Sequence, residues 1–96
     1  MMPILDDIKI ALRISNTAYD SEIDDLISAA RADLRLSGIL ESKVNDDIDP
    51  LIKRAITVYV KAHFGWNNPD AEKLQQSYAM IKGHLALSQE YTKVVE

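Results

Sequence analysis

The chain has 96 residues, a formal net charge of −4 and no cysteine. This length fits one domain, and the absence of cysteine excludes disulfides, thiolate metal sites and a cysteine nucleophile. An acidic chain without a basic stripe is a poor candidate for gripping the phosphate backbone of nucleic acids. No apolar run approaches the ~20 residues that cross a bilayer, and the acidic start MMPILDDIK argues against a secretion signal.

Two amphipathic helices are predicted in the first half of the chain, over residues 5–14 and 21–37. Their apolar residues recur every three or four positions, as one face of a helix requires: Leu5, Ile8 and Leu12, then Ile23, Leu26, Ile27, Ala30 and Leu34. Asp20 is the predicted N-cap of the second helix, because its carboxylate can accept free backbone N–H groups. Gly38 is predicted to end this helix in a left-handed conformation, with Ile39 packing on Leu34 in a Schellman motif.

A polar loop is predicted over residues 40–49, LESKVNDDID, followed by a helix over residues 50–64. Asp49 as N-cap and Pro50 as first helical residue make a strong start signal. The predicted inner face of this third helix consists of Leu51, Ile52, Ala55, Ile56 and Tyr59. Further apolar residues leave it little polar surface, which is typical of a helix at the centre of a domain or an oligomer.

The stretch KAHFGWNNPD is predicted to form the corner before the last helix. Gly65 is expected to take the left-handed position after the third helix, and Trp66 to pack back on that helix. Asn68 is the predicted N-cap of the fourth helix, and Pro69 its first residue. The histidine, the tryptophan and the phenylalanine of this stretch are therefore interpreted as parts of a turn between helices.

The fourth predicted helix covers residues 69–88, with an inner face of Leu74, Tyr78, Ile81 and Leu85. Gly83 lies inside it and should cost about 1 kcal/mol relative to alanine, which indicates a close helix approach or a bend. Residues 89–96 are predicted to be a flexible C-terminal tail, separate from a single helical domain over residues 1–88. The predicted fold is all-α: a compact bundle of about four helices with short capped loops.

Catalytic, cofactor and metal sites are not predicted. His63 and His84 have no partner at helical ligand spacing, which a zinc site would need. A calcium loop starting at Asp47 would need glycine at its sixth position and glutamate at its twelfth. Those positions hold Ile52 and Val58. The sequence therefore indicates a protein that is not an enzyme and carries no cofactor.

Two clusters of charged residues are candidate functional sites. The acidic side chains at residues 22–25 lie off the apolar face and near a helix start, where negative charge is stabilised without any catalytic role. Lys53, Arg54 and Lys61 could belong to a DNA-recognition helix, but the rest of that helix is mostly apolar. A helical interaction domain is favoured, and a prophage-encoded DNA-binding regulator is the alternative.

Four segments of the chain resemble a known family when taken in order: LRI, YDSEIDDLISAARADL leading to SGI, DPLIKRAITVYVKAHFG, and NPDAEKLQQSY. Their order and chemistry are similar to those of the small head–tail connector, or head-completion adaptor, proteins of tailed bacteriophages and prophages. The similarity runs from about Leu5 to Leu87. Its most specific part is the helix start DPLIKRAI with the later FG and NP pairs.

The resemblance implies a virion structural protein, made in the host cytoplasm, with no catalytic activity and no cofactor. Copies would form a ring of twelve beneath the portal protein after DNA packaging. The ring would extend the DNA channel and dock the next head-completion protein or the tail. DNA would pass through without sequence-specific binding, and no membrane would be involved.

A ring needs two different faces of one subunit to meet, and the charge pattern offers one way to supply them. Residues 1–50 carry 11 acidic and 5 basic side chains, whereas residues 51–96 carry 4 and 6. Exposure on helix faces selects these candidate interface residues: Asp24, Arg31, Arg35, Lys53, Arg54 and Lys61. The tail residues predicted to contact the portal are Tyr91, Val94 and Val95.

Overall fold

The computed structural model describes residues 4–65 and 68–93, and within these ranges the chain forms six α-helices and no strand. They are α1 (Ile4–Leu12), α2 (Asp20–Leu36), α3 (Glu41–Val44), α4 (Pro50–His63), α5 (Ala71–Leu87) and α6 (Gln89–Thr92). The four long helices correspond to the four predicted ones, so the all-α bundle is confirmed. In the same ranges, no helix combines the length and the apolar character that a membrane span requires.

Helix α4 lies at the centre of the bundle, where it packs against α1, α2 and α5. The Asp49 carboxylate accepts hydrogen bonds from the backbone N–H groups of Leu51 and Ile52, at 2.9 and 3.2 Å, and Pro50 is the first helical residue. Buried side chains point to several sides of the helix: Ile52, Ala55, Ile56, Val58, Val60 and Ala62. The central position expected from the apolar pattern is therefore observed.

The predicted inner face of α4 is wrong at Leu51, whose side chain is 51% exposed. At 100° per residue, Leu51 points in nearly the same direction as the buried Val58. Leu51 lies in the first turn of α4, however, two turns before Val58. The end of a helix can leave an apolar position exposed even when its angular position is correct.

Helices α2 and α5 run in the same direction, opposite to α4. The Tyr19 ring packs edge-on against the Phe64 ring with centroids 5.6 Å apart, which places the start of α2 beside the end of α4. Only residues 64–70 join α4 to α5, and the two helices pack against each other, so α5 returns antiparallel to α4. Adjacent antiparallel helices are the usual result of such short connections.

The end of α2 has the hydrogen bonds of a Schellman motif. Gly38 adopts φ +100°, its N–H donates to the Arg35 carbonyl at 3.0 Å, and the Ile39 N–H donates to the Leu34 carbonyl at 3.2 Å. Leu34 and Ile39 are both buried, as the apolar contact of this motif requires. The sequence pattern predicted this arrangement.

The start of α2 differs from the prediction, because Asp20 is its first helical residue and Tyr19 precedes it. The Asp20 side chain makes no capping hydrogen bond, and its Oδ1 atom lies 2.7 Å from Lys9 Nζ. Lys9 belongs to α1, so this ion pair joins α1 to α2. The partner lies 11 residues away, outside the range of any local capping rule.

Helix α1 ends at Leu12, earlier than the predicted residue 14. Arg13 adopts φ +61°, and its N–H donates to the Ile10 carbonyl at 3.0 Å. The Ile14 N–H donates to the Lys9 carbonyl at 2.9 Å. This is the same hydrogen-bond pattern as at Gly38, but an arginine occupies the left-handed position that glycine usually fills.

The corner before α5 keeps part of its predicted geometry. Gly65 adopts φ +77°, but Phe64 before it is extended, and α5 begins at Ala71 instead of Pro69. Asn68 does not cap the helix. Its Oδ1 accepts from the Asp70 N–H at 3.0 Å, and its Nδ2 donates to the carbonyl of Lys61 at 2.7 Å. Asn68 therefore ties the turn back to α4, while the predicted role of Trp66 lies outside the described residues.

Two short helices replace regions predicted to be a loop and a flexible tail. Helix α3 lies in the predicted loop and buries Val44, and α6 lies at the start of the predicted tail and buries Tyr91. The backbone N–H of Leu40 donates to the Tyr91 carbonyl at 2.9 Å. Isolated helices of this length are unstable, so burial and this long-range hydrogen bond hold them in place.

Candidate assembly surface

Part of the uneven charge of the two sequence halves is neutralised by ion pairs within the subunit. Lys53 Nζ lies 2.7 Å from Asp7 Oδ2, and Lys82 Nζ lies 3.1 Å from Asp33 Oδ2. Each pair joins an acid of the first half to a base of the second half within one molecule. The helices of the two halves pack against each other in the bundle. These charges therefore pair within one subunit and are not available to pair with a neighbouring copy.

Of the predicted interface residues on α2, Arg31 is not part of an exposed charged face. Its guanidinium donates to the Val44 carbonyl at 2.6 Å and lies 2.8 Å from Asp47 Oδ1, and its side chain is only 19% exposed. Arg31 therefore holds α3 and the following turn against α2. Asp24 and Arg35 are exposed and stay candidate interface residues.

The three basic residues of α4 are not three free charges on one exposed surface. Lys53 is paired with Asp7, Arg54 is exposed near the start of the helix, and Lys61 is half-buried near its end. A DNA-recognition helix presents several free basic and polar side chains on one surface. Helix α4 is instead the buried centre of the bundle, which disfavours the DNA-binding alternative.

A polar cluster joins α2 to α5. The Tyr78 hydroxyl donates to Asp33 Oδ2 at 2.6 Å, and Lys82 Nζ donates to the same oxygen at 3.1 Å. Burial alone would raise the pKa of Asp33, but the hydrogen bonds from Tyr78 and Lys82 outweigh it and hold that pKa below its ordinary value of 3.8. Burial and the same hydrogen bond raise the pKa of Tyr78. The cluster fixes the position of α2 relative to α5 along the direction of the helix axes.

Asp33→Asn should lower stability in a pH-dependent manner. A carboxyl group whose pKa is lower in the folded state contributes stability above its unfolded pKa, and this contribution is lost as the pH falls through the folded pKa. The variant should therefore unfold at lower urea concentration than the wild type at pH 7, with a difference that shrinks below about pH 4. Urea unfolding at pH 7 and pH 3 measures this, and an equal difference at both values would contradict it.

The first residue of the predicted portal-contacting tail is anchored to the bundle. The Tyr91 side chain is buried, and its hydroxyl donates to the Asp49 carboxylate with O–O distances of 2.9 and 3.2 Å. Burial, with this hydrogen bond as a further cause, raises the pKa of Tyr91 to about 12. While α6 is docked, Tyr91 is not available to a partner. Val94 and Val95 lie outside the described residues.

The outer face of α5 carries large apolar side chains in solvent. Met80 is 65% exposed and Leu87 is 86% exposed, and Gly83 lies between them on the same face. These residues follow one another at steps of three and four, opposite the buried Tyr78 and Leu85. The sequence prediction does not include this face because it considered only the apolar residues that point inward. Residues 80, 83 and 87 nevertheless have helical spacing in the sequence.

Gly83→Ala should stabilise the isolated subunit. Among the described residues, a Cβ added at Gly83 would meet no atom within 4 Å, and the backbone there is helical. Of the two predicted explanations, a close helix approach or a bend, the close approach is therefore not seen within residues 4–65 and 68–93. Alanine is favoured over glycine by about 1 kcal/mol in a helix interior. Urea unfolding of the two proteins should show this gain, and a loss of stability would contradict the geometry.

The outer face of α2 is built from small side chains that end in one large apolar residue. Ser28 and Ala32 are exposed, and Leu36 is 87% exposed. Ala32, Arg35 and Leu36 line a shallow depression of about 330 Å³. Together with the outer face of α5, this face forms the candidate assembly surface.

A cleft of about 470 Å³ lies where α1 ends, α2 begins and α4 ends. It is lined by Leu12, Ile14, Tyr19, Glu22, Phe64 and Gly65. Across residues 4–65 and 68–93, no group of three or more histidine, aspartate or glutamate side chains is placed to hold a metal ion.

The described residues form a helical bundle whose charged side chains join its own elements and whose outer faces carry large apolar residues. The family model described as phage connector protein matches residues 4–92. The chain therefore belongs to the phage connector protein family and has a structural role at the head–tail junction. No curated protein and no solved structure gives a significant match.

Proposed function

We propose that the protein assembles as a ring beneath the portal and joins the phage head to the tail or to the next head-completion protein. The observation that supports this is the presence of large apolar side chains in solvent on two different helices, Leu36 on α2 and Met80 with Leu87 on α5. Exposed apolar patches commonly mark protein interaction sites. A ring requires two different faces to meet, and α2 and α5 offer two.

The ring would extend the DNA channel without binding DNA in a sequence-specific manner. The chain has a net charge of −4, and Lys53, Lys82 and Arg31 are each paired with an acidic residue of the same molecule. Negative charge on the protein repels the DNA phosphates, which keeps DNA from binding to the inner surface of the channel. The proposed stoichiometry is twelve, and the protein would be located in the virion.

Electron microscopy of the protein mixed with its cognate portal rings tests this function. We expect an added ring of density on one side of the portal, with the symmetry of the added copies visible in class averages. A gel-shift assay on double-stranded DNA at physiological salt is the companion measurement, and we expect no shift. A portal that stays bare, together with a strongly salt-dependent DNA shift, would instead support the DNA-binding regulator.

A further inference from the structure

We propose that the outer face of α5 in one copy packs against the outer face of α2 in the next copy, with the two helices running in the same direction. This interface rests on the proposed ring and specifies how the ring is held together. It uses two different surfaces of each subunit, so every copy keeps one of them free for the following copy. Such a heterologous contact closes into a ring when the rotation between copies allows it.

The outer face of α5 has a feature that the isolated subunit does not explain. Gly83 lies in the interior of a long helix, where glycine costs about 1 kcal/mol relative to alanine. Gly83 has no positive φ, and no atom of residues 4–65 and 68–93 lies where an added Cβ would touch it. A glycine on a helix surface lets another helix approach the backbone closely. Because Met80 and Leu87 flank it in solvent, the approaching helix would come from another molecule.

The directions of α2 and α5, and their relative positions along the helix axes, restrict how the two outer faces can meet. Asp33 of α2 contacts Tyr78 and Lys82 of α5, so residue 33 lies level with about residue 80. The proposed ring axis runs parallel to α2 and α5, and a rotation about such an axis preserves the direction of a helix and its position along the axis. With both helices rising 1.5 Å per residue, residues 25, 32 and 36 of one copy should therefore meet about residues 73, 80 and 83 of the next.

The pairs that this register creates are complementary in size and charge. Met80 would face the small Ala32, and Leu36 would face Gly83, so a large side chain meets a small one in both places. Alternation of large and small residues is how facing helices interdigitate. Asp25 and Lys73 are both exposed and would face each other near the N-terminal ends of α2 and α5, which adds an opposite-charge pair. This complementarity selects a second copy of the chain as the occupant of both faces.

Disulfide cross-linking tests the interface cleanly because the chain has no native cysteine. The variant Ala32→Cys with Met80→Cys, bound to portal rings and oxidised, should give a ladder of covalent multimers on a denaturing gel. Each single variant should give no ladder, since a head-to-tail contact brings two different residues together. The control is Ser15→Cys with Met80→Cys, which pairs Met80 with an exposed residue outside α2 and α5.

Two further sets of variants separate assembly from folding. Gly83→Leu should fold, because the site is open in the subunit, but it should lose the ladder, whereas Ser15→Leu should keep it. Asp25→Lys should weaken cross-linking severalfold, and adding Lys73→Asp should restore it.

The results distinguish failure of the interface from failure of the proposed function. If copies assemble on the portal but Ala32→Cys with Met80→Cys cross-links no better than the control, the interface is overturned and the ring stands. If no copies assemble on the portal at all, the proposed function fails and the interface with it. If the cross-linking variant still gives a ladder when Gly83→Leu is added, the proposed close helix approach at Gly83 is overturned.

Discussion

Ile52→Ala is expected to lower the free energy of unfolding by about 2–5 kcal/mol, the range for truncating a buried isoleucine. Ile52 is fully buried at the start of α4, the helix that contacts α1, α2 and α5. Truncation removes apolar contacts and leaves a cavity that the surrounding helices cannot fill by small shifts. Urea unfolding followed by circular dichroism measures the change.

Leu51→Ala is the matched control, because Leu51 precedes Ile52 in the same helix and is 51% exposed. Its truncation should change stability by less than about 1 kcal/mol, since little buried surface is lost. Equal losses in the two variants would show that α4 is rotated relative to the structure. The pair therefore tests the orientation of the central helix.

Asp49→Ala is expected to lower the free energy of unfolding by about 2–5 kcal/mol, because the variant loses two stabilising interactions at once. The carboxylate caps α4, and loss of such a cap costs about 0.5–2 kcal/mol. It also accepts a hydrogen bond from the buried Tyr91, and a bond to a charged group contributes about 1.5–3 kcal/mol. One side chain thus holds the start of α4 and the docking of α6.

Asp49→Asn and Tyr91→Phe separate those two contributions. Asparagine caps helices about as well as aspartate, so its effect should be smaller than that of alanine. Tyr91→Phe removes only the hydroxyl that bonds to Asp49. In the double variant Asp49→Ala with Tyr91→Phe the losses should be less than additive, because the residues are in contact. Additive losses would mean that α6 is not held through Asp49.

Features set by neighbouring residues could be predicted from the sequence, and the end of α2 shows why. Gly38, Ile39 and Leu34 form their motif through hydrogen bonds within one turn of chain, so local chemistry determines the result. Asp20 shows the opposite case. Its capping chemistry is correct in isolation, but Lys9 of another helix binds the carboxylate, and only the packing of α1 against α2 reveals that partner.

The exposure of the predicted interface residues could be predicted only in part, for a related reason. Arg31 and Arg35 both look exposed in a helical projection, but the chain after α2 folds back and binds Arg31. The short helices α3 and α6 are ordered by burial of Val44 and Tyr91, which no periodicity in four residues can indicate. The exposed Met80 and Leu87, by contrast, follow a helical spacing that the sequence already contains.

Multi-angle light scattering with and without portal rings tests the central claim most directly. The subunit has a mass of 10.8 kDa, and the complex should exceed the free portal by a multiple of that mass, twelve for the proposed ring. The free protein is the reference across a concentration series. A portal whose mass does not change at saturating protein would contradict the assignment of this chain as a ring-forming connector.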